Sequence, residues 1–434
     1  MNELIDFVLL RDPNVRWVVI AVTLICTSAS VVGCFTFLRK RALIGDAISH
    51  AILPGICLAF IIAQTKNPLV LLTGAFVSGW VGILTIDLIV ERSKIKTDAA
   101  LGLVLSVFYG IGILLLTVIQ SSGNAAQSGL DKFLFGKAAA MTRDDILVFT
   151  IFGVLLLIIV LALFNAFKLI SFDRDFAVAK GFPVRRLEFT LSVLTVLAIA
   201  IGIQAVGVVL MAAFLIAPAA AARYWTNRLG IMVFLAVGFS VASGLVGTYV
   251  SYVVPNMPTG PWIVTVMSVL TIVSVVIGRQ RGVLYRWLQQ RRNERKILRE
   301  NILKCLYHLG EADGQFAALR SQQEIQQRRG IRAPDLKKGL RRLRNDHLVQ
   351  LEDGHAGLTP EGVSKGAQIT KIHRLWELYL TQYMQLPADH VHDDAEAIEH
   401  IITPELEREL ESQLEYPTLD PHNQPITYKE QHDG

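Results

Sequence analysis

The stretch RKRALIGDAISHAILPG, Arg39 to Gly55, places three cations at the end of one apolar run and an Asp and a His at the start of the next. Ionisable groups inside a bilayer are tolerated only when paired or facing water, so Asp46 and His50 are functional candidates by placement alone. On a helix they stand i, i+4, which puts a carboxylate and an imidazole on one face, within reach of a common ion or of each other. Ser49 lies beside them. The spacing also suits a second reading, in which Asp46 caps or complements a helix N-terminus and His50 is an interfacial side chain.

Outward from this stretch the chain reads as a membrane protein. Of its 434 residues 52% are apolar and only 18% charged, which excludes an ordinary soluble protein. Runs long enough to span a bilayer occur at about Val15 to Leu38, Ala47 to Gln64, Pro68 to Val90, Ala99 to Ile119 and Ile146 to Phe167. Apolar character resumes from Leu187 to Tyr224, too long for one crossing, with Gly202 and Gly207 marking the expected break. Gly230 to Val254 and Pro261 to Gly278 complete about nine spans. Glycines at 74, 79, 82, 102, 110 and 112 suit close helix packing in lipid.

Basic residues orient the scheme. Up to Arg286, 16 Lys and Arg fall on the side that carries Arg39, Lys40 and Arg41, against 6 on the other, so that side is expected to be cytoplasmic. The N-terminus is then outside and everything after Gly278 inside. The first apolar run lacks a basic leader and a small-residue cleavage site, so no cleavable signal peptide is expected. Cys26, Cys34, Cys57 and Cys305 form no CxxC pair and read as buried thiols.

The polar insert Ser171 to Arg186 lies on the basic side and reads as a short helix stopped by Gly181. Phe172, Phe176 and Phe182 would suit an interfacial loop equally well. No Walker motif or other nucleotide-cradling glycine loop occurs in the sequence, so any ATP hydrolysis must come from a separate chain.

Beyond Gly278 the composition changes. Arg279 to Asp346 holds 18 Lys and Arg against 7 Asp and Glu, whereas His347 to the end holds 5 against 17. Arg279 to Arg299 is a basic, helix-forming stretch carrying Tyr285 and Trp287, natural beside anionic lipid. Ile297, Ile302, Leu303, Leu306 and Leu309 mark a first helix of a small domain, Ser321 to Arg329 a second and Pro334 to Asn345 a third. The third turns Leu336, Leu340 and Leu343 inward and Lys337, Lys338, Arg341, Arg342 and Arg344 outward. His347 to Leu358 alternates around Asp353-Gly354, a hairpin signal. Three helices and a hairpin make a winged helix, whose basic third helix is a candidate for DNA or for lipid phosphates. Farther on, His373 and Glu377 stand i, i+4, and His392, Glu396, Glu399 and His400 share one helical face.

Two resemblances join these motifs. Gly45-Asp46-Ala47-Ile48-Ser49-His50-Ala51, with Leu53-Pro54-Gly55 after it, resembles the signature of permease subunits of bacterial ABC importers for manganese, zinc or iron. Gly207 to Leu210 and Leu215 to Ala220 are similar to later core helices of that family. The resemblance implies an all-α polytopic permease over residues 1–278, with Asp46, Ser49 and His50 on the transport path of a divalent ion. It implies that Asp175, Ala179 and Gly181 belong to a segment docking on a cytoplasmic ABC ATPase. It also implies a metal-binding lipoprotein outside and a second permease subunit, identical or different, in the lipid bilayer.

The tail resembles the diphtheria-toxin-repressor family of metal-dependent regulators, through Leu358-Thr-Pro-Glu-Gly362, His373-Arg-Leu-Trp-Glu377, His392 to His400 and Pro417 to Ile426. Behind the basic juxtamembrane helix at 279–295 and the winged-helix domain at 296–358, the resemblance implies a helical metal-binding and dimerisation domain at 359–434. His373, Glu396, Glu399 and His400 would be the metal ligands and Glu377 and His392 accessory. Carboxylate with imidazole suits Mn2+ better than thiolate would, with Zn2+ or Fe2+ as alternatives. Asn301 and Lys304 stand where manganese-type members carry carboxylates on the first helix, which implies a weakened site. The expectation is a plasma-membrane transport subunit, not an enzyme, with a metal-sensing tail. The alternatives are a membrane-tethered, metal-dependent DNA-binding regulator and a transporter whose tail only dimerises.

Overall fold

The computed structural model describes all residues except 1–5, 8, 40–42, 122–135, 137–140, 255–256, 388–401 and 429–434, and only the backbone of 204, 205 and 209. The chain forms two compact units, 1–286 and 287–434.

The first unit is a helical bundle built around α1 (Pro13–Leu38). Asp12 opens α1 by accepting from the Asn14 N–H at 2.8 Å, and a proline stands in the first turn, where its missing N–H costs nothing. In α1 72% of the spanning window is buried, against 22% in the peripheral helices, so the first span is the centre of the bundle. Around it run α2 (Ile44–Ala63), α3 (Pro68–Arg92), α4 (Thr97–Ser121), α5 (Arg143–Ala162), the short α6 (Phe164–Phe172) and α7 (Arg174–Ala179), then α8 (Val184–Val206), α9 (Val208–Arg223), α10 (Leu229–Val253) and α11 (Thr259–Ile277).

Among the described residues eight of these helices are long and apolar enough to span, and α9 is a shorter apolar one. The break in the long run falls at Gly207, whose φ of +90° suits a residue without a side chain. Gly202 instead lies inside α8, where an added Cβ would come within 2.7 Å of the Met211 sulfur, so it lets α8 and α9 fold back on each other. The Tyr224 carbonyl after α9 accepts from the Gln280 N–H after α11 at 3.0 Å, so these two ends meet.

Lipid offers apolar side chains the same surroundings as a protein core, so close backbone approach does much of the holding. A Cβ on Gly55 would lie 2.1 Å from the Gly74 carbonyl, and Gly79, Gly82 and Gly112 are similarly tight against Ile52, Ala51 and Leu53. These contacts seat α2 between α3 and α4. Gly102 and Gly110 do not take part, because a Cβ there meets nothing within 4 Å.

The basic stretch and the first tail helix are one 31-residue helix, α12 (Val283–Asp313), of which 283–286 belong to the first unit and the rest to the second. Its first half is exposed, with Arg291 over the Trp287 ring at 3.7 Å, and its second half buries Ile302, Leu303, Leu306 and Leu309. Then come β1 (Arg320–Ser321), α13 (Gln322–Arg329), α14 (Ala333–Asn345), β2 (Val349–Glu352) and β3 (His355–Leu358), in an antiparallel sheet of order β1-β3-β2. Asp353 and Gly354, both at positive φ, make the hairpin turn. Leu336, Leu340 and Leu343 face inward as the spacing predicts. The two-residue β1 was not foreseen, being too short to show alternation. α15 (Pro360–Tyr383) and α16 (Pro404–Gln413) follow, held together by Lys371 between Glu407 at 2.7 Å and Glu411 at 2.5 Å.

Candidate functional site

Leu43, not Asp46, holds the N-cap of α2, and Asp46 sits in the first turn, where its charge also suits the helix dipole. One turn on, His50 Nε2 stands 3.5 Å from Asp46 Oδ1, beyond the usual hydrogen-bond range. The His50 side chain is 14% exposed and that of Asp46 38%, so the pair lies at the edge of the packed helices with the carboxylate open. His50 Nδ1 is buried and has no hydrogen-bond partner. The Tyr109 ring meets the imidazole edge-on, with centroids 4.7 Å apart. Both nitrogens of His50 thus lack a good protein bond while a carboxylate stands beside one of them, an arrangement that can receive a cation. Pro54, inside α2, has no N–H to give the His50 carbonyl, which leaves that oxygen short of its helical donor.

Ser49 is fully buried and donates to the Gly45 carbonyl at 2.6 Å. Lys40 and Arg41 lie outside the described residues. Tyr109 was missed by sequence reasoning; its one signal was a phenol inside an otherwise apolar span.

The insert forms α7, opened by Asp173, whose carboxylate accepts from the Phe176 N–H at 2.8 Å. It closes on Gly181 at φ +78°, with Gly181 N–H to the Val178 carbonyl at 2.9 Å and Phe182 N–H to the Ala177 carbonyl at 3.1 Å. This paired closure needs a left-handed residue after the helix, which explains the glycine. Asp175 and Ala179 are exposed, as are Phe172, Phe176, Val178 and Phe182, so α7 presents apolar side chains and a carboxylate together.

In the tail, His373 Nε2 and Glu377 Oε1 are 2.9 Å apart and both side chains are 3% exposed. His392, Glu396, Glu399 and His400 lie outside the described residues. Next to His373, Arg374 grips Glu311 of α12 with two bonds of 2.9 and 2.8 Å, donates to the Pro425 carbonyl at 2.7 Å and stands 3.5 Å from Asp420. His308, Glu311, Arg328, His373, Arg374 and Glu377 line a cavity of about 440 Å³. Burial pushes the His308 imidazole below its usual value, with Arg374 and Lys304 adding to the shift and Glu311 opposing it. Burial alone would raise the Glu311 carboxyl, but the bonds from His308 and Arg374 outweigh it and hold it low. Glu311 and Asp420 were missed because nothing local ties them to Arg374.

The donor chemistry here fits a divalent ion. Imidazole and carboxylate are paired in a buried site, and Asn301 Oδ1 is buried without a hydrogen-bond partner on the first tail helix. Lys304, fully buried one turn before His308, works against it by fixing a positive charge nearby. Among the described residues no three His, Cys, Asp or Glu converge as a metal cluster. On α14, Lys337, Lys338, Arg341, Arg342 and Arg344 are all exposed.

Residues 11–278 match a family described as the ABC 3 transport family, and residues 359–428 match the iron dependent repressor, metal binding and dimerisation domain. The manganese transport system membrane protein MntC of Bacillus subtilis is 39% identical over 87% of this chain and 86% of its own length. The zinc transport system membrane protein TroC of Treponema pallidum is 44% identical over 65% of this chain and 95% of its own. The structure of PsaBC from Streptococcus pneumoniae in complex with Fab superposes with a TM-score of 0.59 at 32% identity, covering 66% of this chain and 99% of that one.

Proposed function

The chain belongs to the ABC 3 transport family, and from that premise we propose that it is the permease subunit of an importer for a divalent transition-metal ion, with Mn2+ as the principal cargo. The observation that carries this reading is the Asp46–His50 pair on α2, with an open carboxylate and an unpartnered imidazole nitrogen. Oxygen and nitrogen donors suit Mn2+, and the likeness to a manganese transport protein extends over most of the chain, tail included. Two donors are few for such an ion; waters and a second permease subunit supply the rest. A loose site of this kind releases what it binds, as a transport path requires. Uptake of Mn2+, Zn2+ and Fe2+ in competition, by vesicles carrying the reconstituted transporter, tests the assignment.

ATP hydrolysis comes from a separate ATPase on the cytoplasmic face of the plasma membrane, and a metal-binding lipoprotein delivers the ion from outside. The coupling contact is α7, where Asp175, Ala179 and the exposed phenylalanines meet the ATPase. Gly181→Ala places a Cβ on a left-handed backbone at a cost of about 1 kcal/mol. Together with Asp175→Ala it should reduce ATPase recruitment and uptake in parallel. Co-purification of the ATPase reads the first, and full recruitment with full uptake overturns the assignment.

The tail lies in the cytoplasm and senses the internal ion through His373, Glu396, Glu399 and His400, with Glu377 and His392 as accessory ligands. When bound, the ion supplies positive charge that draws these donors together. Asn301 adds a neutral oxygen and Lys304 weakens the site.

A second reading, a membrane-tethered regulator, is favoured by the five exposed cations of α14. A fragment of residues 279–434 that bound one DNA sequence far more tightly than unrelated DNA, at fixed salt, would support it. The import reading expects weak, salt-sensitive binding without sequence preference.

A further inference from the structure

Glu188, about one turn into α8, joins two parts of the bundle that the sequence keeps apart. Its Oε1 accepts from Arg39 Nη2 at 2.7 Å and from Arg174 Nε at 3.3 Å. Arg39 is the C-cap of α1, five residues before the start of the helix that carries Asp46 and His50. Arg174 is the first residue of α7. One carboxylate therefore bridges the proposed ATPase-docking segment and the entry to the ion-site helix.

The two legs differ in environment. The Arg39 and Glu188 side chains are 11% and 24% exposed, whereas that of Arg174 is 57% exposed. The inner leg is thus shielded from solvent and salt and can carry force, while the outer leg is open to a docking partner. Beside the inner leg lies a cavity of about 20 Å³, bordered by Thr36 and Arg39 of α1, Ile44 of α2 and Ser192 and Thr195 of α8. That is room for about one water. Ile83 of α3 borders it too, and a gap where four helices meet lets them shift without first breaking close packing.

We propose that Glu188 is a positioning residue for transport, passing displacement of α7 through Arg174, Glu188 and Arg39 to the helix that holds Asp46 and His50. The proposal rests on the reading of α7 as the ATPase contact. It needs no ligand at Glu188 and no change in its charge. What moves is the shared carboxylate, and with it the residue that closes α1.

The test uses the complete transporter, full-length permease with its ATPase in proteoliposomes, and reads metal taken up per ATP hydrolysed. Glu188→Gln keeps the size and loses the charge. Uptake per ATP should fall about tenfold while the ATPase still co-purifies and ATP is still hydrolysed. Arg39→Gln should behave alike, Arg174→Gln should lose less, and the exchange Arg39→Glu with Glu188→Arg should recover part of the ratio. A purely structural ion pair would lower thermal stability and the amount of transporter without changing the ratio. An unchanged ratio in both Glu188→Gln and Arg39→Gln overturns the proposal. Failure of the wild-type permease to recruit the ATPase through α7 overturns the coupling reading instead, and the two failures are separately visible.

Discussion

Uptake of radiolabelled manganese into cells or vesicles should fall at least about a hundredfold when Asp46 or His50 is replaced by alanine, more than the ~10–100-fold lost when a partner merely supporting a metal ligand is removed. The size of the effect follows from how little this chain offers the ion. Asp46 and His50 supply one carboxylate and one imidazole, 3.5 Å apart, and among the described residues no third His, Cys, Asp or Glu joins them. Losing either halves the charged or ligating contribution of the subunit, and no neighbour can replace it. Folding should survive, since Asp46 is partly exposed and His50 has an unpartnered nitrogen, so neither anchors a buried network. Tyr109→Phe keeps the ring edge against His50 and should retain most uptake, separating packing of the imidazole from ligation of the ion. Membrane insertion and ATPase co-purification are the controls. Normal uptake in both alanine variants would move the ion path elsewhere in the bundle.

The second large effect belongs to the tail. A fragment of residues 279–434 should bind Mn2+ measurably by calorimetry, and Glu399→Ala with His400→Ala should abolish it. Lys304→Glu should tighten binding by at least about tenfold, or ~1.4 kcal/mol. It exchanges a buried ammonium for a carboxylate on the helix that also carries Asn301, whose Oδ1 has no partner. In the whole transporter, a tail that binds the ion in only one of its states shifts the equilibrium toward that state, and uptake then falls as internal manganese rises. The double variant should remove this throttling and Lys304→Glu should make it set in at lower internal concentration. No binding by the fragment, with uptake unchanged in every variant, would leave the tail as a dimerisation module.

Much of this molecule is written locally. Apolar runs of spanning length, Asp46 with His50 and His373 with Glu377 each lie within one helix, where periodicity alone decides which side chains are neighbours. Gly181 ending α7 and Asp353-Gly354 turning the hairpin were legible for the same reason, because backbone chemistry over a few residues dictates them. The sequence by itself therefore determined the membrane class, the tail's winged helix and the i, i+4 pairs. Tertiary structure alone decided what meets those pairs. Tyr109 reaches His50 from another span, Arg374 grips Glu311 across 63 residues and Arg39 finds Glu188 across 149. Gly202, expected to break the chain, packs inside α8 against Met211, while a Cβ on Gly102 or Gly110, expected to pack closely, would meet nothing within 4 Å. The physical reason is that a helix repeats its own faces but does not specify which neighbour each face will touch; close packing of all the helices at once makes that choice.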